Sequence, residues 1–329
     1  MNNSDYNESM DFYIGSYMTR PFWVGKCFDI YDADQRCVFD GIIPDIAVKT
    51  QNEYFKAAIC VNGLLLLRIQ HLAQAMPDIG NPTHYNNAAL WLDKCLDYVN
   101  ALQICLESES IKCVNSHNVR AITTRTIDIC KVGMLRGKAL NCSLNTEYGN
   151  SQAVVMNELK RWIANDGKWP SPLETDGWRL PHEFISIDAV KRAFDMFSNV
   201  VNDETKIRWL SYLVKAKTAY AENDYRMSFV LSWFVIESNI KSSLYSSGTI
   251  KKTHIHEMIK QLYSQGVLSE EIKKRLDHLR KIRNCLMHNP VETFCSSHDC
   301  IEAGQVALNL VVSNPNTNIV LSWHSSFQF

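Results

Sequence analysis

Apolar side chains recur at helical spacing through most of the second half of this chain. Helices are predicted near 186–201, 203–221, 224–246, 253–264, 269–289 and 298–312, joined by short turns, which is the pattern of an antiparallel bundle. In the first half, the spacing from Ala47 to Met76 and from Asn86 to Glu107 also fits helices, with Pro77 closing the first and Pro82 breaking the link between them. Ser151 to Ala164 reads as helical too, and Val119 to Leu144 fits either a helix or a strand. Residues 11–43 carry the runs FYIGSYM, FWVGKCFDIYD and CVFDGII, separated by Pro21, Gly25 and Gly41, a pattern of two or three short strands or of an irregular cap. Three prolines, two glycines and two tryptophans crowd residues 165–181 and mark a boundary. The expected fold is therefore mainly α, with four parts: a mostly helical N-terminal domain over 1–165, a linker over 166–184, a helical bundle over 185–312 and a tail over 313–329.

Two charged residues sit on the wrong faces of that pattern. At about 100° per residue, Ile272, Leu276, Leu279, Ile282, Leu286 and Met287 share one arc of the 270–289 helix, and Lys273, Lys274, Asp277, Lys281 and Asn284 share the other. Arg283 falls inside the apolar arc, where its permanent charge requires an anion or a wet cleft. On the 224–245 helix Phe229, Val230, Trp233, Phe234, Ile240 and Leu244 form the apolar side, with Ser228, Ser232, Asn239 and Ser242 opposite. Glu237 lies amid the apolar side, where desolvation requires that it be protonated or paired. Lys241, one turn on, and Arg283 are its candidate partners.

Arg283 opens the string Arg283-Asn284-Cys285-Leu286-Met287-His288, which ends just before Pro290. An R-x4-H spacing arises too readily by chance in a chain with 10 histidines to carry an argument alone. Taken with E-x3-K on the preceding long helix (Glu237 to Lys241) and a connecting helix between, the R-N-x3-H string resembles the HEPN superfamily, helical-bundle domains that include many prokaryotic toxin and anti-phage RNases. The resemblance covers roughly residues 185–312. It implies that Arg283 and His288 are a catalytic pair, that Asn284 is the polar residue commonly following the arginine, and that Glu237 and Lys241 are supporting acidic and basic positions. It also implies a homodimer with the two motifs facing across a two-fold axis.

RNA cleavage without a metal suits these residue types. The 2'-hydroxyl needs a base, the leaving 5'-oxygen needs an acid, and the phosphorane between them needs positive charge. Imidazole is the side-chain group that exchanges protons near neutral pH, and guanidinium offers a forked cation matched to phosphate oxygens. Residues five apart on a straight helix point about 140° from each other, so Arg283 and His288 reach one phosphate only if the last turn unwinds at Asn289 or two copies share a site. Other readings of the same residues stand beside this one. Arg283 with Glu237 forms a structural ion pair, Lys241 an i,i+4 partner of Glu237, and Asn284 an ordinary exposed helix residue; or the bundle binds RNA or a partner without cutting.

Composition bounds the setting. With 46% hydrophobic and 21% charged residues among 329, the chain is globular. Its longest apolar stretch, Ala57 to Leu67, is interrupted by Asn62 and too short for a bilayer. The N-terminus MNNSDYNESM has no signal-peptide character, so a cytoplasmic protein is expected, without membrane association. Eleven cysteines without framework spacing then read as reduced. A net charge of −1 lends no general support to nucleic-acid binding, yet residues 273–283 hold six basic residues against one acid, giving Lys273, Lys274, Arg280 and Lys281 as RNA-contact candidates or, equally, as a solvated helix face. Cys295, His298 and Cys300 lack the two separated pairs usual for structural zinc, so neither metal nor cofactor is expected. The first domain is left with a sensor, target-recognition or partner-binding role, holding or releasing the second in response to a trigger.

Overall fold

The computed structural model describes residues 11–16, 22–25, 46–60, 63–77, 85–112, 127–135, 138–140, 183–246, 254–289, 293–312 and 319–323. It is mostly helical, with an antiparallel sheet in the N-terminal part, and it divides into two compact units, Met1–Asp203 and Glu204–Phe329.

In the first unit, strands β1 (Asp11–Ser16), β3 (Ile46–Gln51), β4 (Phe55–Cys60), β5 (Leu65–Ile69), β6 (Ile127–Leu135) and β7 (Lys138–Leu140) pair in the order β3-β4-β5-β1-β6-β7, every described pairing being antiparallel. A separate parallel pair joins β2 (Phe22–Val24) to β8 (Glu183–Ile185). The helix expected over Ala47–Met76 is therefore a three-stranded meander followed by the short helix α1 (Gln70–Gln74). Two local devices break a helix there. The Asn52 side-chain oxygen accepts from the N–H groups of Tyr54 and Phe55, folding the chain into a tight turn, and Gly63 turns the next hairpin at φ +82. Leu65, Leu66 and Leu67 are all buried, and a strand covered on both faces is a continuous apolar run that periodicity cannot tell from a buried helix.

Helix α2 (Tyr85–Ile111) matches the Asn86–Glu107 expectation. Against it packs α3 (Ile187–Ser198), where Arg192 and Lys112 hold the buried Glu109 carboxylate at 2.7 and 2.6 Å. Phe197 from α3 meets Phe55 edge to face at 5.0 Å. The 186–201 helix, expected as the start of the bundle, thus sits in the N-terminal unit. The Ser151–Ala164 helix, the CVFDGII run and residues 166–182 of the linker lie outside the described residues, the last two linker positions falling in β8, whereas 127–135 and 138–140 resolve the helix-or-strand ambiguity as strands.

The second unit is a helical bundle of α4 (Glu204–Ala221), α5 (Tyr225–Ser246), α6 (Ile255–Ser264), α7 (Glu270–His288) and α8 (Ser297–Val311). Helix boundaries fall within about two residues of the sequence expectation, and several are marked by local chemistry. Ser269 caps α7 by accepting from the Ile272 N–H, and Ser296 with Asp299 forms a reciprocal capping box on α8. Gly266 makes the α6–α7 turn at φ +73.

Helix α5 is the centre of this unit, packed against α4, α6, α7 and α8. Its serines decide how closely. Ser228 and Ser232 are fully buried and Asn239 nearly so, which corrects the expectation that they face solvent, while Phe234 is 53% exposed. Small hydroxyl side chains let α4 and α8 approach the α5 backbone from the side that a strict apolar-polar division assigns to water. Cross-links fix the arrangement: the Trp209 indole of α4 donates to Ser238 at 3.0 Å, and the Asn239 amide donates to the Leu310 carbonyl of α8 at 3.1 Å. The tail over 319–323 returns to the bundle, burying Ile319 and setting Trp323 against Gly304 and edge-on to Tyr220.

Candidate functional site

The midsection of α5 builds one wall of the candidate site. Glu237 is held by two side chains of its own helix, the Lys241 ammonium at 2.6 Å and the Trp233 indole N–H at 3.1 Å, both one turn away. Burial works to raise the Glu237 carboxyl. It is outweighed by the hydrogen bond and charge of Lys241, by the Trp233 N–H and by the nearby charge of Arg283, which together hold its pKa below the ordinary carboxylate range. The carboxylate is thus ionised, as its place on an apolar face requires of a paired group.

Arg283 enters from α7. Its guanidinium is close enough to act electrostatically on Glu237 but forms no ion pair with it within 4.0 Å, which corrects the expectation of a direct Glu237–Arg283 contact. The guanidinium Nη1 donates instead to the Asn284 side-chain oxygen at 3.3 Å. Arg283 is half-buried, its cationic fork balanced by a carboxylate at longer range and bonded, among the described residues, to one neutral acceptor.

His288 is exposed at the last position of α7. The helix keeps its form through His288 and ends at Asn289, whose φ of −130 and ψ of 63 are non-helical while its N–H still bonds the Cys285 carbonyl. The chain departs from the helix one residue too late to swing His288 toward Arg283, so the angular separation of about 140° persists. Asn284 is engaged by Arg283. Met287, expected on the apolar arc, is 59% exposed beside His288.

The basic strip of α7 is less bare than its sequence. Lys273 bonds Asp277 at 3.0 Å, Lys274 bonds Glu270 at 2.8 Å, Arg275 reaches Glu302 of α8 at 3.1 Å, and Arg280 lies 3.9 Å from Asp277. Lys281 is exposed, with no such contact among the described residues. Asp277 gathers Lys273, Arg280 and His256; burial raises its carboxyl, and the Lys273 hydrogen bond and charge, then His256 and Arg280, bring it below the ordinary range. Sequence reading missed the carboxylate partners and the Trp233–Glu237 bond. For Lys273–Asp277, Lys274–Glu270 and Trp233–Glu237 the signal was present as an i,i+4 spacing on one helix face, whereas Arg275–Glu302 and His256–Asp277 join different helices and carry no such spacing.

Among the described residues no three metal-ligating side chains converge, and no helix is long and apolar enough to cross a membrane. Set against family models, curated proteins and solved structures, the chain gave no match.

Proposed function

We propose that the C-terminal unit is a HEPN-type endoribonuclease that cuts RNA by attack of the 2'-hydroxyl on the adjacent phosphate, without a metal, in a toxin or anti-phage defence role. The observation that carries this reading is Arg283: a half-buried guanidinium set near the ionised Glu237 yet tied, among the described residues, only to Asn284. An arginine used for structure alone would close on the carboxylate. One held a step away keeps its fork free for phosphate oxygens.

In the proposed reaction the 2'-oxygen bonds to phosphorus, its proton passes to a base, and the 5'-oxygen leaves with a proton from an acid, giving a 2',3'-cyclic phosphate and a 5'-hydroxyl. Exposed His288 serves as one of these proton carriers, Arg283 stabilises the charge on the phosphorane, Asn284 fixes the guanidinium plane, and Glu237 with Lys241 holds the local charge in balance. Lys281, with Lys274 in an exposed pair and Lys273 and Arg280 in half-buried pairs with Asp277, supplies contacts along the RNA backbone.

The angle between Arg283 and His288 favours a site completed by a second copy of the chain. Exposed Met227, Phe234 and Tyr245 on α5 recur at spacings of seven and eleven residues, hence on one stripe, and give such a copy apolar surface to cover. The first unit, with its own sheet and core, is assigned target recognition or response to a trigger or regulatory partner.

The test is incubation of the purified protein with mixed RNA in EDTA. The expected result is cleavage leaving cyclic phosphate ends. Products with 3'-hydroxyl ends, or full dependence on a divalent cation, overturn the chemistry. Binding of RNA without cutting selects the alternative, a non-catalytic helical module. Mixing Arg283→Ala and His288→Ala chains under verified subunit exchange should restore part of the cleavage, and a monomer that still cuts removes the shared site.

A further inference from the structure

Cys295 and Cys300 bracket the start of α8. Ser296 is the cap: its Oγ accepts from the Asp299 N–H at 3.1 Å, and the Asp299 carboxylate accepts from the Ser296 N–H at 3.0 Å and from its hydroxyl at 2.6 Å. Counted from that cap, Cys295 is the residue before it and Cys300 the fourth residue of the helix. These are the two positions at which apolar side chains staple the entry of a helix. Here both are thiols, their sulfurs 3.6 Å apart, with Cys295 3% exposed and Cys300 fully buried. The Cys300 thiol also donates to the Tyr225 carbonyl at the start of α5, at 3.0 Å.

We propose that this pair is a modification site, a dithiol that low-molecular-weight disulfides such as oxidised glutathione convert reversibly into a Cys295–Cys300 disulfide. The thiolate of Cys295 attacks one sulfur of the reagent and releases one reduced thiol, leaving a mixed disulfide on Cys295. Cys300 then gives up its proton, its sulfur attacks the Cys295 sulfur, and a second reduced thiol leaves. Two protein thiols are oxidised and one reagent disulfide is reduced to two thiols, so atoms and electrons balance.

Several features support that order of events. Closing a gap of 3.6 Å to the bonded distance of about 2.05 Å asks for roughly 1.5 Å of sulfur movement, within reach of small side-chain rotations. The capping box holds the two backbones in register meanwhile. With the Cys300 proton directed to the Tyr225 carbonyl, the two sulfurs face each other at 3.6 Å, and the Arg226 guanidinium is the nearby cation that favours a thiolate on Cys295. Cys300 is pushed far above the ordinary thiol range by Cys295 and by burial. Cys295 is therefore the attacking sulfur and Cys300 the resolving one. The product would clamp the segment joining α7 to α8, already tied by Thr293 to the Cys285 carbonyl and to Arg226. None of this rests on the RNA-cleavage reading.

The chain offers a clean readout. It has no Lys or Arg after Arg283, so the C-terminal tryptic peptide beginning at Asn284 carries Cys285, Cys295 and Cys300 and no other cysteine. Exposed Cys285 is the natural decoy. The full chain carrying Cys285→Ala is equilibrated in mixtures of oxidised and reduced glutathione, quenched in acid, capped with maleimide and digested. The expected C-terminal peptide is lighter by two hydrogen atoms and takes no maleimide, in a fraction that rises with the oxidised share and is reversed by dithiothreitol. Adding Cys300→Ala should stop the reaction at a glutathione adduct on Cys295. Should that variant fail to fold, the map of the Cys285→Ala chain alone decides. Two maleimides on the peptide across the whole range, or cross-links from either cysteine to another part of the chain, overturn the proposal.

Discussion

Helices α5 and α7 meet at the candidate site and are built on opposite principles. Nearly every side of α5 is covered: Phe229, Trp233, Ile236 and Ile240 are buried, and so are Ser228, Ser232 and Asn239. Helix α7 buries Leu276, Leu279 and Leu286 and gives the rest of its surface to charge, much of it in ion pairs. Glu237, Lys241 and Trp233 are therefore held on a helix that cannot shift without disturbing four neighbours, while Arg283 and His288 ride on one whose outer face is free to adapt. The difference assigns roles. In the proposed reading the fixed wall sets the local charge and the charged rim meets the RNA.

The largest effect should come from the rim. His288→Ala is expected to lower RNA cleavage by about 100-fold or more, the usual scale for removing a proton carrier, and to leave the melting curve in place because His288 is exposed. Retained cleavage, or a lowered melting temperature, breaks the assignment. The wall should answer in stability. Ser232→Leu forces a large side chain against the neighbours of α5 and should cost about 1–3 kcal/mol in urea unfolding, whereas Ser232→Ala should be nearly neutral, since its buried hydroxyl has no hydrogen-bond partner among the described residues. A tolerated leucine would show that α5 is less closely packed than its burial indicates.

Glu237→Ala should cost about 1–2 kcal/mol, less than a fully buried pair, because its side chain retains 24% exposure. A double-mutant cycle sharpens this: coupling of Glu237 to Lys241 should exceed coupling to Arg283, which makes no direct contact. The reverse order would place the structural pair across the two helices. The pH dependence has a definite sign. Glu237 has a folded pKa below its unfolded value, so its contribution is complete above the ordinary glutamate range and is lost as pH falls through that range and then through the lower folded value. In Glu237→Gln this part of the acid destabilisation should be absent, measured by urea midpoints against pH. The smallest effect belongs to Lys281→Ala, expected to weaken RNA binding only a few-fold, uniformly across sequences, with the salt slope reduced by about 1.

The bundle was legible because its signals are local. Caps at Ser269 and Ser296 and glycine at 266 act within one turn of each helix end, so each helix can be bounded without knowledge of its neighbours. The meander over 46–69 was not legible, because β5 is covered on both faces and its leucine run satisfies either period. Partner choice also escaped the sequence in one direction. Glu237 with Lys241 follows from spacing along one helix, but whether Arg283 closes on Glu237 depends on the separation of α5 and α7, which no single helix encodes.

What the chain determined by itself is the identity and spacing of the chemistry: a charge on each of two apolar faces, an arginine and a histidine five positions apart at a helix end, and a pair of thiols at the staple positions of α8. Tertiary structure alone decided that the serine side of α5 is interior, that α3 belongs with the sheet, and that Arg283 stops short of Glu237. The physical reason is range. Caps, turns and i,i+4 pairs act over a few residues, whereas burial and the distance between two helices depend on every side chain packed around them.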